Sequence, residues 1–331
     1  EFLEMDSLDE VVVGGNSSLT LMHDVISRCM SHGNCDSDTA WSNLDKVKFL
    51  CPSPGYDRHF SICAHFGIEM IAVPNLKGDL DIQKIEELVA ADSSIKGIWV
   101  VPKYGNPTGT SVSDSIVDRL AGMRTAAKDF RIMWDNAYAV HHLSEDVDVI
   151  QNLHSTCKVA GHPNRTFTLG STSKITFAGS GIAAIGTSAD NAAWLNKHLS
   201  MSTIGPDKIN QVRHVRFFGN YAGLQKHMKK HAALIKPKFD IVTSILKKQL
   251  GSKRLATWTN PKGGYFISLD TNAGCARRVV ELANGAGVKL TAAGATFPYG
   301  KDPKDTNIRL APTLPSVEEI KVAMEVVCLC I

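Results

Sequence analysis

The sequence has 331 residues, 44% of them hydrophobic and 21% charged, with 36 basic against 33 acidic side chains and a formal net charge of +3. A chain of this length calls for one large domain plus a smaller one, and the composition is that of an ordinary globular protein, which excludes disorder as the default. The interspersed charges give no footing for nucleic acid, no apolar run approaches the roughly 18 residues of a membrane span, and the opening EFLEMDSLDE lacks the basic and apolar regions of a signal peptide.

Short β-branched or apolar runs recur at Val11–Val13, Val47–Cys51, Met70–Val73, Gly97–Val101, Arg131–Trp134, Thr166–Leu169 and Ile182–Gly186, with helical stretches between them. The alternation predicts an α/β domain with a mostly parallel, seven-stranded sheet covered on both faces. Ligands of such sheets bind outside the carboxyl ends of the strands, so the polar clusters that follow these runs converge on one candidate site.

The first cluster is GGNSSL (Gly14–Leu19), either a phosphate cradle at a helix N-terminus or an ordinary turn with Ser17 or Ser18 as N-cap. PSPGYDRHF (Pro52–Phe60) offers Tyr56 to stack on a flat heterocycle, or is a Pro-Gly turn with a surface tyrosine. In VPKYGNPTGT (Val101–Thr110), Asn106 precedes Pro107 and carries both a donor and an acceptor. Asp135 in IMWDNAYAVHHL follows a buried run, where a carboxylate needs a cationic or hydrogen-bonding partner. TLGSTSKITFAGSG places Lys174 among small hydroxyls with an apolar far side, where an amine loses its charge more readily and attacks carbonyls; a solvated lysine is the alternative.

Helical spacing continues from about Gly223 to Leu250, with Pro237 as a kink, and its basic stretch Lys226–Lys238 reads as a solvated face. Beyond it GGYFISLD, a helix near 275–285, VKLTAAG and NIRLAPT form a small α+β unit. The expected domains are 1–236, binding a cofactor, and 237–331.

Together the clusters hold what a pyridoxal-5′-phosphate (PLP) site requires: a phosphate cradle, a carboxylate for the pyridine nitrogen, donors for the phenolic oxygen and a lysine for the aldehyde. GNPTG around Asn106, DNAY around Asp135 and Tyr138, STSK ending at Lys174 and NIRLAP with Arg309 resemble the signatures of class I aminotransferases of PLP fold type I. PGYDRHF, WDNAYAVHHL and STSKITFAG are most similar to the divergent bacterial, MocR-like subgroup typed as aspartate aminotransferase, and the resemblance spans the chain. It implies that Lys174 holds the cofactor as a Schiff base and shuttles a proton, and that Asp135 keeps the pyridine nitrogen protonated. Asn106 and Tyr138 would bond the phenolic oxygen. Ser171, Ser173 and the backbone at Gly15, Asn16 and Ser17 would bind the phosphate, Tyr56 would stack on the ring, and Arg309 would clamp the substrate α-carboxylate with Asn106 beside it.

The family's phosphate-neutralising arginine beyond the lysine is missing from FAGSGIAAIG, which leaves backbone donors, Arg213, Arg216 or a partner subunit for that charge. Transamination between aspartate or glutamate and a 2-oxo acid is the leading expectation. A PLP-dependent C–S lyase would use the same residues, and a PLP-sensing regulator would need a DNA-binding domain that is not evident. His227 and His231 lack the glutamate of HExxH, so no metal is expected. Arg58, Lys103 and Arg309 supply positive charge for a dicarboxylate. Eight cysteines without a CxxC pair fit reduced thiols in a cytoplasmic protein. The resemblance further implies a homodimer with composite sites and an N-terminal segment preceding Glu1.

Overall fold

In the computed structural model, which describes residues 1–76 and 78–331, the seven apolar runs all become strands of one sheet. In chain order the strands are β1 (Val11–Val13), β2 (Lys48–Ser53), β3 (Glu69–Leu76), β4 (Asp79–Leu80), β5 (Ile95–Val100), β6 (Arg131–Asp135), β7 (Thr166–Ser171) and β8 (Ala183–Gly186). Across the sheet they lie in the order β1-β8-β7-β6-β5-β2-β3-β4. The five central strands run parallel; β4 on one side and β8 on the other run against them, and β1, antiparallel to β8, runs with them again. The eighth strand, β4, is two residues folded back on β3, too short to show a period in sequence.

Six helices cover the sheet: α1 (Ser18–His32), α2 (Asp57–His65), α3 (Ile82–Ala91), α4 (Asp114–Gly122), α5 (Leu153–Val159) and α6 (Ala189–Leu199). Side chains of a strand alternate between faces, and here both faces are apolar. Phe49, Cys51, Trp99, Met133 and Phe167 pack with α1, α2 and α6; Leu50, Ile98, Ile132 and Trp134 pack with α3, α4 and α5. That double burial is why the strands read as mainly apolar runs, broken only by single residues such as Lys48 or Thr168.

The amino end of β6 is anchored by Asp129, whose carboxylate accepts hydrogen bonds from Lys96 Nζ at 2.7 Å, Trp41 Nε1 at 2.8 Å and Ser37 Oγ at 2.7 Å. Breaking a buried pair strands the remaining charge, so Asp129→Ala should cost about 3–5 kcal/mol in urea unfolding. A loss below about 1 kcal/mol would mean that water already serves Lys96.

After the sheet come α7 (Lys208–Phe218) and α8 (Tyr221–Leu250), which runs on through Pro237 as one helix. Its partners change along its length. Leu224 and Met228 pack with Val140 and Ile175, whereas Phe239, Val242 and Leu246 join a separate core. That core holds an antiparallel sheet of β9 (Ala256–Trp258), β10 (Ile267–Thr271) and β11 (Asn307–Leu310), with α9 (Ala276–Gly285) and α10 (Val317–Cys330). The VKLTAAG stretch contributes no strand to it. Among the described residues, no helix is long and apolar enough to cross a membrane.

Candidate active site

The carboxyl ends of β2, β5, β6 and β7 bring the polar clusters together. Asp135 ends β6 at 2% exposure, and its Oδ2 lies 3.1 Å from His59 Nε2, donated by α2. His59 is stacked on Trp99 of β5, with centroids 4.5 Å apart and planes 10° apart. The second carboxylate oxygen, Oδ1, is buried with no hydrogen-bond partner. An unpaired buried acceptor is costly. A protonated ring nitrogen would satisfy it, so the residues present fit a pyridinium.

Lys174 follows β7, and its Nζ stands 5.2 Å from the ring centroid of Tyr138, which is itself buried. Burial holds the Lys174 ammonium below the usual lysine value, and the charge of Asp135 offsets this in part. Burial, with Asp135 next, pushes the Tyr138 phenol well up, so its hydroxyl keeps its proton and can donate. Tyr265 Oη donates to the Lys174 carbonyl at 2.8 Å and fixes the backbone there. Against Tyr138 and Tyr265 sits His141, buried and held down to about 3 by desolvation and then by Lys174, hence neutral.

Tyr56 is the N-cap residue of α2, its ring edge-on to His59 at 5.0 Å, and burial pushes its phenol up to about 12. It is half-buried beside the Asp135 pair rather than on an exposed turn.

The turn before α1 has the Ser17 cap, with unbonded backbone donors beside it. Ser17 Oγ accepts from the Leu19 N–H at 3.2 Å and caps the helix. Among the described residues, the N–H groups of Gly15, Asn16 and Ser17 donate to no protein acceptor, which leaves them for an anion. Ser171 Oγ donates to Ser173 Oγ at 3.2 Å, Ser173 Oγ to the Asn16 carbonyl at 2.7 Å, and Asn16 Nδ2 to the Gly179 carbonyl at 2.9 Å. A Cβ at Gly181 would come within 2.8 Å of Ser173 N and 2.9 Å of the Asn16 carbonyl oxygen, so this approach admits only glycine. Of the two candidate arginines, Arg213 lines a cavity of about 240 Å³ with Gly15, Asn16, Ser180 and Gly181. Arg216 does not.

Arg309 on β11 reaches across to Asn106, its Nη1 donating to Asn106 Oδ1 at 3.1 Å and to Asp57 Oδ1 at 2.9 Å. Its guanidinium carbon lies 5.1 Å from the centroid of the Phe266 ring. Of the other two cations, Arg58 is exposed yet near enough for its charge to act on the Tyr56 phenol, and Lys103 lines a separate cavity with Phe2, Glu4 and His142. His227, one of the paired histidines, bonds the Ile175 carbonyl at 3.0 Å.

Sequence reasoning missed His59, Asp57, Trp99 and Tyr265. The string PGYDRHF contained two of them, yet nothing local tells that a histidine three residues beyond an aromatic meets a carboxylate 76 positions later.

A sequence profile described as aspartate amino-transferase matches residues 1–331. A relative from Corynebacterium glutamicum named aspartate aminotransferase is 48% identical over 324 residues, covering 98% of this chain and 75% of its own length. The crystal structure of an aspartate transaminase from the same organism matches at a TM-score of 0.97 and 48% identity, over 99% of this chain and 77% of that one. A kynurenine aminotransferase from Pyrococcus horikoshii, solved with PMP, KYN and KYA, shares the fold at a TM-score of 0.80 and 19% identity, over 98% of this chain and 75% of that one.

Proposed function

The chain belongs to the aspartate aminotransferase family and is an aminotransferase, and from that premise we propose that it uses PLP on Lys174 to exchange an amino group between aspartate or glutamate and a 2-oxo acid. The observation that carries the cofactor assignment is the unpaired, buried Asp135 Oδ1 in the same site as a lysine whose charge is suppressed by burial. Bound PLP supplies an aldehyde for the amino group and a ring that accepts the electron pair left at the substrate Cα.

The protein's own part is positional and protolytic. Asp135, held by His59, keeps a positive charge on the ring nitrogen. Lys174, with its ammonium destabilised, takes the proton from the substrate Cα as a neutral amine. Tyr138 and Asn106 would donate to the phenolic oxygen, Tyr56 would cover a ring face, and the turn from Gly15 to Ser17 with Ser171, Ser173 and Arg213 would hold the phosphate. Arg309 clamps the α-carboxylate.

We further infer a division into 1–236 and 237–331, inside α8, where the helix passes from one core to the other. A homodimer fits the exposed apolar side chains Met201, Ile204, Ile209, Val212, Val215 and Phe217 on and before α7. Sedimentation at micromolar concentration checks it, and a strictly monomeric active enzyme would overturn it.

Incubating the holoenzyme with single amino acids and following conversion of the pyridoxal to the pyridoxamine spectrum tests the reaction. Aspartate and glutamate should convert it. Elimination products without that conversion would favour a lyase. For the clamp, Arg309→Ala should raise the apparent dissociation constant of the amino acid at least about 30-fold while the cofactor spectrum stays intact. Loss of folding without a specific binding defect would give the arginine a structural role instead.

A further inference from the structure

Arg309 already holds a carboxylate. The bonds to Asp57 and Asn106 use both hydrogens of Nη1, while Nε of the same guanidinium is buried without an acceptor. The fork is therefore occupied on one nitrogen and unsatisfied on another, an arrangement that a bidentate carboxylate could improve.

Asp57 has somewhere else to go. It is the first residue of α2, whose N-cap residue Tyr56 makes no side-chain hydrogen bond; a carboxylate turned back on this helix meets a favourable dipole and the N–H groups of Asp57 and Arg58, unbonded among the described residues, the His59 N–H being already given to the Tyr56 carbonyl at 3.1 Å. Its side chain is 33% exposed against 12% for Arg309, and water can take up the remainder of its hydration.

We infer that Asp57 is an internal stand-in for the substrate carboxylate: it neutralises and orients Arg309 while the site is empty and is displaced when the substrate arrives. The inference rests on the reading of Arg309 as the carboxylate clamp. A guanidinium left alone at this depth would be an uncompensated charge, and Asp57 removes that penalty from the empty enzyme. The corollary is that each substrate carboxylate binds against a like charge, so Asp57 keeps affinity low and release easy.

Succinate, an unreactive dicarboxylate, titrated calorimetrically into the holoenzyme isolates this step from chemistry. Asp57→Asn keeps an acceptor for Nη1 and removes only the charge, and it should bind succinate about five- to tenfold more tightly, the effect of deleting one nearby like charge in a partly solvated site. The KM for the amino acid should fall in parallel without a rise in kcat. Asp57→Ser, also lacking the charge, should tighten binding in the same direction. Arg309→Ala should abolish the succinate heat. Unchanged or weaker binding in both Asp57 variants, with Arg309→Ala still defective, would make Asp57 a plain support for the arginine and overturn the inference alone. Wild-type succinate binding in Arg309→Ala would overturn the clamp, and the stand-in with it.

Discussion

Asp135→Asn will leave the enzyme folded and loaded with cofactor but slow Cα deprotonation by roughly 10²- to 10⁴-fold, the rate equivalent of losing one partner of a buried charged pair. Asparagine is isosteric, so its carbonyl can still accept from His59, which now meets Asp135 Oδ2 at 3.1 Å. The other atom changes sign. Where a buried, unpaired Oδ1 now waits for a proton donor, the variant presents an amide N–H, which favours an unprotonated ring nitrogen. An unprotonated ring is a poor electron sink, and the carbanion at Cα loses its stabilisation. Single-turnover absorbance changes with aspartate measure this directly. Near-normal rates would show that Asp135 serves the fold and not the ring.

Lys174→Ala should reduce turnover by at least about 10⁴-fold, because one side chain supplies both the covalent anchor and the proton carrier. The proposed role of this lysine rests on its surroundings. Burial suppresses its charge, Tyr138 packs on its ammonium nitrogen, and Tyr265 holds its backbone carbonyl. Small primary amines added to the Lys174→Ala enzyme should restore part of the proton transfer, since a free amine can enter the space the side chain vacates. A variant that retains more than about one part in a hundred of wild-type activity without added amine would contradict the assignment.

The large sheet was legible in the sequence because its strands are buried on both faces, so that Val47–Cys51 and Arg131–Trp134 read as apolar runs with one charged residue each, Lys48 and Arg131. The two-residue β4 and the three-residue β9 were not, since pairing at a sheet edge and not composition makes them strands. Pro237 was expected to kink the helix without ending it, and the helix does run on through it, with apolar residues on both sides packed into different cores. In the site, the residues that emerged early sit in short strings at strand ends. His59 and Asp57 stayed hidden because their roles lie wholly in partners far along the chain, Asp135 and Arg309, and an α2 turn must form before either can reach. The sequence likewise left open whether backbone donors, Arg213, Arg216 or a partner subunit would stand in for the missing phosphate arginine; which of the two arginines lines the cavity beside the GSG loop depends on how α7 is turned, and it is Arg213.

Borohydride reduction of the purified holoenzyme followed by peptide mapping tests the central claim most directly. The account predicts one phosphopyridoxyl adduct, on the peptide that carries STSKITF, at Lys174. An adduct at any other lysine, or none on a protein that retains its visible absorbance and transaminase activity, would contradict it.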